Sequence, residues 1–263
     1  MALTRSQIDE LGAELHRALA TATAIDPLIQ RFPGMTVEDA YGVQLAMVQH
    51  RIDAGERVVG KKIGVTSKVV MDMLKVDQPD FGHLLSGMAH DDGAAISLGG
   101  CIAPRAEGEI AFVMGSDVQG PGLTNADVLR HVAYVMPCFE IVDSRIRDWK
   151  ISIADTIADN GSSGAFVLGD RSAAPDAVDL RTVGMVLEKN GEVIGTGAGA
   201  AAMGHPLTCV TWLANKLGEF GIALKAGEVI LSGSLSIMFP VQPGDHITMT
   251  LGGLGSCRAR FTA

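Results

Sequence analysis

Two glutamates, Glu107 and Glu109, stand in PRAEGEIAFV (104–113), a run that otherwise reads as a buried β-strand. Side chains alternate across a strand, so the two carboxylates share one face, roughly 7 Å apart at a rise of about 3.3 Å per residue. An unpaired carboxylate beside apolar core is costly to bury. A third, Glu140, sits in MPCFEIVDSR between strand-forming apolar neighbours. Three converging carboxylates repel one another unless a divalent cation lies between them. Hard cations such as Mg²⁺ or Mn²⁺ take oxygen ligands in octahedral geometry, which leaves room for water and a chelating substrate. The same spacing also fits a solvated strand face, and spacing alone does not separate the two.

Two further stretches could supply acid–base groups and a pocket. In GKKIGVTSKVVMDMLKVDQPDFG (60–82), Lys61 and Lys62 alternate in a short β segment, so one can face solvent while the other points inward. A lysine held near a metal and apolar walls becomes a usable acid or base. Asp80 lies in QPDFG, a turn from which a carboxylate can project into a pocket or simply close the turn. DSRIRDWKISIADTIADNGSSG (143–164) follows Glu140 directly and ends in a polar, glycine-containing turn. Such turns present hydroxyls and backbone N–H groups to anions, or merely close a loop.

Other patterns carry no chemistry. GAGAAA (197–202) resembles a loose dinucleotide fingerprint but follows a hairpin rather than opening a βαβ unit. The seven histidines lack zinc-ligand spacing, and His205 in GHPL reads as a helix-entry residue. Cys101, Cys138, Cys209 and Cys257 are scattered without a CxxC pair and read as buried thiols. There is no G-x-S-x-G nucleophile elbow.

The elements that must position these groups follow from periodicity. Ile8, Leu11, Leu15 and Leu19 recur at helical spacing with Ser6 near the N-cap, and a second helix starts at Thr36, with Asp39 completing a capping box, and stops at Gly55. RVVGKKIGV (57–65) is β-rich, and TSKVVMDML (66–74) is a short helix capped by Thr66 or Ser67. Strands are predicted at 107–114, 137–143, 164–168, 183–189, 192–197, 228–232 and 246–251, with a type I′ turn at Asn190-Gly191. Helices are predicted at 124–134 and 206–219, the latter with Pro206 at its first position. Without regular β–α alternation this is an α+β chain: a small helical N-terminal region (1–75) and a β-rich domain (76–263) forming a roll or sandwich with inserted helices.

Composition narrows the partners. A 263-residue chain with 47% hydrophobic residues buries a sizeable core, and a net charge of −9 argues against nucleic acid or an anionic membrane as partner. An anionic substrate then needs a local cation, from a side chain or a metal. No secretory leader and no apolar run of about 18 residues is present, so a cytoplasmic protein is expected.

VVGKKIGVTSK, VDQPDFGHL, PRAEGEIAFV, PCFEIVDSRIRDWKI, ADTIADNGSSG, AGAAAMGHPL, LKAGEVILSGSL and GLGSCRARF, in this order, resemble the 2-hydroxypenta-2,4-dienoate (2-oxopent-4-enoate) hydratases of the fumarylacetoacetate hydrolase-like superfamily. These act in meta-cleavage degradation of aromatic compounds. The sister 2-oxo-3-hexenedioate (4-oxalocrotonate) decarboxylases share most of these motifs, while DQPDFG, IRDWKI and LKAGEVILSGSL are more similar to the hydratase side. The resemblance implies a hydro-lyase with Glu107, Glu109 and Glu140 as ligands of Mg²⁺ or Mn²⁺. It implies Lys62 and Asp80 as the catalytic pair, and Ser162 and Ser234 as pocket residues. It further implies homo-oligomers, often pentamers or decamers, and raises a complex with 4-oxalocrotonate decarboxylase, in which a non-catalytic subunit is one alternative. One departure stands out: Gly161 occupies a position where these families more often carry Ala, which loosens the turn.

Overall fold

The strand bearing the two glutamates runs through the middle of the larger of two β-sheets. The computed structural model describes residues 2–263. Its helices are α1 (Arg5–Ala20), α2 (Leu28–Arg31), α3 (Val37–Asp53), α4 (Lys68–Leu74), α5 (Asn125–Leu129), α6 (Ile153–Ala158) and α7 (Pro206–Gly218). The strands are β1 (Val58–Gly64), β2 (Asp80–Leu85), β3 (Ala89–Asp91), β4 (Ala94–Ser97), β5 (Arg105–Met114), β6 (Val132–Val142) and β7 (Ser163–Leu168). They continue with β8 (Gly184–Lys189), β9 (Glu192–Ala198), β10 (Val229–Leu231), β11 (Phe239–Pro240), β12 (His246–Leu251) and β13 (Gly255–Thr262). The larger sheet has the order β2-β1-β10-β5-β6-β7-β3, with β11 paired to β5, and the smaller one β4-β13-β12-β8-β9. β1, within the first 75 residues, is therefore hydrogen-bonded into the sheet through β2 and β10. Among the described residues no helix is long and apolar enough to cross a membrane.

Alternation along β5 divides its work. Ala106, Ile110 and Phe112 join the core between the sheets, with Phe139, Leu187, Met249 and Phe261. Glu107 and Glu109 project from the opposite face. Gly108, between them, lies where a Cβ would stand 2.7 Å from the Met249 sulfur, so glycine lets the two sheets close here. A second core joins α1, α3 and α6 through Leu11, Leu15, Val43, Met47 and Ile157. Helix starts follow local chemistry. The Thr36–Asp39 box opens α3 as expected, whereas α1 is capped by Thr4 with Gln7, two residues before Ser6. Ser67, not Thr66, caps α4. His205 caps α7, its Nδ1 accepting from the Leu207 N–H (3.1 Å).

Two differences from the periodicity stand out. The helix expected over 124–134 is only α5, because the β-branched and aromatic run from Val132 is drawn into β6 between β5 and β7. Strands β2, β3, β4 and β11 are too short or too irregular to register by pattern alone, whereas β13 alternates cleanly, with Cys257, Ala259 and Phe261 inward and Arg258 and Arg260 outward, and is a strand beyond those expected.

The end of β6 is tied to the polar turn by a buried ion pair. Arg145 Nε donates to Asp159 Oδ1 (2.5 Å), and its Nη1 donates to the carbonyls of Asp143 (2.6 Å) and Ser163 (3.0 Å). Another guanidinium N–H reaches the Asp159 carbonyl. Burial pushes the Asp159 carboxyl up and Arg145 opposes it. Breaking a buried pair leaves an uncompensated charge. Arg145→Met should therefore destabilise the fold by about 3–5 kcal/mol in urea unfolding; an unchanged midpoint would show that the pair is not what fixes the turn.

Candidate active site

The two strands bring the glutamates together. β5 and β6 run antiparallel with Glu107 directly opposite Glu140 and Glu109 opposite Cys138. One oxygen from each of Glu107, Glu109 and Glu140 lies within 4.8 Å of the others. Like charges directly opposed across a sheet are destabilising, and Glu109 and Glu140 are buried. Glu109 Oε2 accepts from the Gly233 N–H (2.7 Å), but Glu109 Oε1 and both Glu140 oxygens have no hydrogen-bond partner. The solvated-face alternative does not describe this arrangement.

Lys62 and Asp80 complete the charged group. Lys62 Nζ lies 3.4 Å from Glu140 Oε2, and the two side chains are buried. Burial pulls the lysine down, but Glu140, Asp80, Glu107 and Glu109 together hold its pKa above the ordinary value. Asp80 is buried with neither carboxylate oxygen hydrogen-bonded; burial pushes it up while Lys62 opposes. Lys61 does not face solvent as alternation suggested. It is buried on the other face of β1, where its Nζ meets Glu228 Oε1 (2.5 Å). That pair is structural and leaves Lys62 for the site.

Four carboxylates thus face one ammonium, a formal surplus of three negative charges in a buried volume. Burial raises all three glutamates: Glu140 to about 7, Glu109 well up with help from Glu140 and Glu107, and Glu107 upward against Lys62. Oxygen-only donors, close spacing and orphaned buried oxygens fit a hard divalent cation, which takes such ligands and supplies the missing charge.

A cavity of about 830 Å³ opens onto this group. Lys62, Asp80 and Glu107 line it, and so do Ser162 and Ser234. Ser162 is held by the turn: its Oγ bonds Asp159 Oδ2 (3.2 Å), and Asn160, Gly161 and Ser162 are all left-handed. Gly161 is not merely looser than Ala. A Cβ there would stand 2.9 Å from Lys62 Cε, so the glycine seats the lysine stem. Ser234 Oγ donates to the Ser236 carbonyl (3.0 Å) in the loop after β10, whose Gly233 supplies the N–H to Glu109. Other walls are apolar, among them Val69, Val70, Met73, Ile237 and Met238.

The sequence reading missed the Gly233 N–H, the Arg145–Asp159 tie, and Arg105 with Trp149, both of which line the cavity. A backbone donor has no sequence signature. Arg105 has one: residues 105, 107 and 109 share a strand face. The metal-free carboxylates generate a pH signature. Their folded pKa values lie above the ordinary 4.5, so the native state binds more protons than the unfolded one and stability falls as pH rises through that window. Glu109→Gln should therefore gain stability relative to metal-free wild type as pH rises above about 4.5, and should lack the rise in Tm expected of wild type on adding Mg²⁺. Thermal scans with and without Mg²⁺ measure both effects; a Mg²⁺ shift retained in Glu109→Gln would place the ion elsewhere.

Comparisons with known proteins bear on this geometry. The fumarylacetoacetate (FAA) hydrolase C-terminal family matches residues 41–262. The chain is 54% identical over 257 residues to a 2-hydroxyhexa-2,4-dienoate hydratase of Comamonas testosteroni, covering 97% of each. It is 56% identical over 222 residues to a 2-hydroxypent-2,4-dienoate hydratase of Pseudomonas putida, covering 84% of this chain and 100% of that one. The solved 4-oxalocrotonate decarboxylase from Pseudomonas putida G7, complexed with magnesium and adipate, superposes with a TM-score of 0.96 at 40% identity, covering 98% of both chains. A family match over residues 41–262 that takes in every residue of the acidic site, with relatives this similar, means that the chain belongs to the fumarylacetoacetate hydrolase family.

Proposed function

We propose that the chain hydrates 2-hydroxypenta-2,4-dienoate to 4-hydroxy-2-oxopentanoate, a hydro-lyase step in the meta-cleavage breakdown of aromatic compounds. The observation that carries this is the clustered triad Glu107, Glu109 and Glu140 beside Lys62 and Asp80, at one wall of a cavity large enough for a five- or six-carbon acid. Hydratase relatives at 54–56% identity, against 40% for the decarboxylase, support hydration over decarboxylation. Mg²⁺ or Mn²⁺ held by the three glutamates would act as a Lewis acid on a chelating 2-oxo carboxylate.

The chain's own residues then handle protons. The dienol loses its 2-hydroxyl proton and gains one at C5, giving a 2-oxo-3-enoate; water adds at C4 and a proton enters at C3. Lys62, kept protonated by its acidic neighbours, balances the negative charge that develops on the 2-oxygen. Asp80, buried and without hydrogen-bond partners, takes the proton from the attacking water and returns one to carbon. Ser162 and Ser234 offer hydroxyls to the bound acid from the two loops that flank the cavity. The apolar walls accept the hydrocarbon end, so a methyl-extended dienoate is an equally good substrate. A non-catalytic role beside a decarboxylase finds no support in a site with all five charged groups in place.

The test is an assay of the Mg²⁺-loaded protein with the hydroxydienoate and, separately, with 2-oxo-3-hexenedioate. Hydration of the first without CO₂ release from the second is expected. Lys62→Met and Asp80→Asn should each lower kcat by about 10²–10⁴-fold with Mg²⁺ binding retained. Decarboxylation of the diacid without hydration of the dienoate would overturn the assignment in favour of the sister activity.

A further inference from the structure

Three cationic side chains line the cavity: Lys62, Arg105 and Lys150. Lys62 is engaged by Glu140 (3.4 Å) and Lys150 by Asp148 (3.0 Å). Arg105 alone of the three has no carboxylate within ion-pair distance among the described residues, and its guanidinium makes no hydrogen bond to them. It is the first residue of β5, so alternation puts it on the face shared by Glu107 and Glu109, one step nearer the strand's start. Five N–H donors on a half-buried guanidinium stand free beside an acidic cradle.

The side chain is nevertheless held. Its guanidinium carbon lies 4.7 Å from the centre of the Trp149 ring. The indole is fixed in turn, its Nε1–H donating to the Ala103 carbonyl (3.0 Å), two residues ahead of Arg105. Asp143 secures the same segment by accepting the N–H groups of Ile102 and Ala103 (2.9 and 2.7 Å). Trp149 and its neighbour Asp148 both adopt left-handed backbone, with φ of 55° and 57°. That conformation is strained for a bulky residue, and such strain concentrates at ligand-binding positions. Here it lays the indole on the guanidinium. Stacking occupies the face of a guanidinium and leaves its edge, the fork that matches a carboxylate bidentately.

We propose that Arg105 is the residue that receives the substrate's carboxylate, its free edge gripping the anion while Trp149 holds its face. Even with a divalent cation bound, four carboxylates against one ammonium leave the site formally negative, and this contact offsets that charge, orienting the acid so that its 2-oxygen lies toward Lys62 and the place a cation would take between the glutamates while its hydrocarbon end meets the apolar wall. The inference rests on the reading of the substrate as a 2-oxo acid, and its test separates the two.

Calorimetric titration of the Mg²⁺-loaded protein with 2-oxopentanoate and with its neutral amide is the direct experiment. Arg105→Met should weaken binding of the acid by about 10–100-fold, leave the amide nearly unchanged, and keep its Mg²⁺ affinity. Arg105→Lys, which keeps the charge without the fork, should fall between. Trp149→Leu should weaken the acid several-fold by freeing the guanidinium. The chain has two tryptophans, so in a Trp212→Phe background the emission of Trp149 should shift on adding 2-oxopentanoate and stay still once Arg105 is Met. Equal affinity for the acid in Arg105→Met and wild type, or an equal loss for acid and amide, overturns the proposal. Arg105-dependent binding by a wild-type protein that fails to hydrate the dienoate would overturn the hydratase reading and uphold this one. Hydration with an unchanged KM in Arg105→Met would do the reverse.

Discussion

Mutual repulsion among Glu107, Glu109 and Glu140 is the constraint around which the rest of this structure is arranged. Two are adjacent on one strand face and the third is opposite on the next strand, with their oxygens drawn within a few ångströms and mostly shielded from water. Lys62 and one backbone N–H offset only part of that charge. Such a cluster persists in a folded protein when protonation or a cation supplies the remainder. The upward displacement of all three carboxyls expresses the first possibility, and the unpartnered oxygens fit the second.

The fold supplies the rigidity that holds these charges in place. β5 and β6 are central strands, packed on one face against the smaller sheet and open on the other to the cavity. Gly108 allows the close approach that stiffens the packed face. Above the glutamates, the 159–163 turn is pinned by Arg145, and through Gly161 it confines the Lys62 stem. Removing Arg145 is therefore expected to disturb Ser162 and Lys62 together, although it touches no reacting atom.

How much was legible in the sequence depended on how local the cause was. Capping at Thr36, the Asn190-Gly191 turn and the strand face of Glu107 and Glu109 come from neighbours a few residues apart. Convergence of Glu140 and Asp80 on that face depends on sheet register, which a strand pattern does not encode; the order of motifs across the chain carried that information instead. Lys61 illustrates the limit. Alternation correctly separated it from Lys62, but its partner Glu228 lies 167 residues away, so its burial had no local signal. The short helix at 125–129 shows the same limit from the other side: the apolar pattern carries the expected helix on to residue 134, and sheet pairing overrides it from Val132.

Anomalous diffraction from crystals soaked in Mn²⁺ tests the central claim most directly. The account predicts one strong peak per chain, bound by an oxygen from each of Glu107, Glu109 and Glu140 at metal–oxygen distances of about 2.0–2.3 Å, with Lys62 beside it but not ligating. A peak elsewhere, or none at saturating Mn²⁺ with the three carboxyls still in contact, would contradict it.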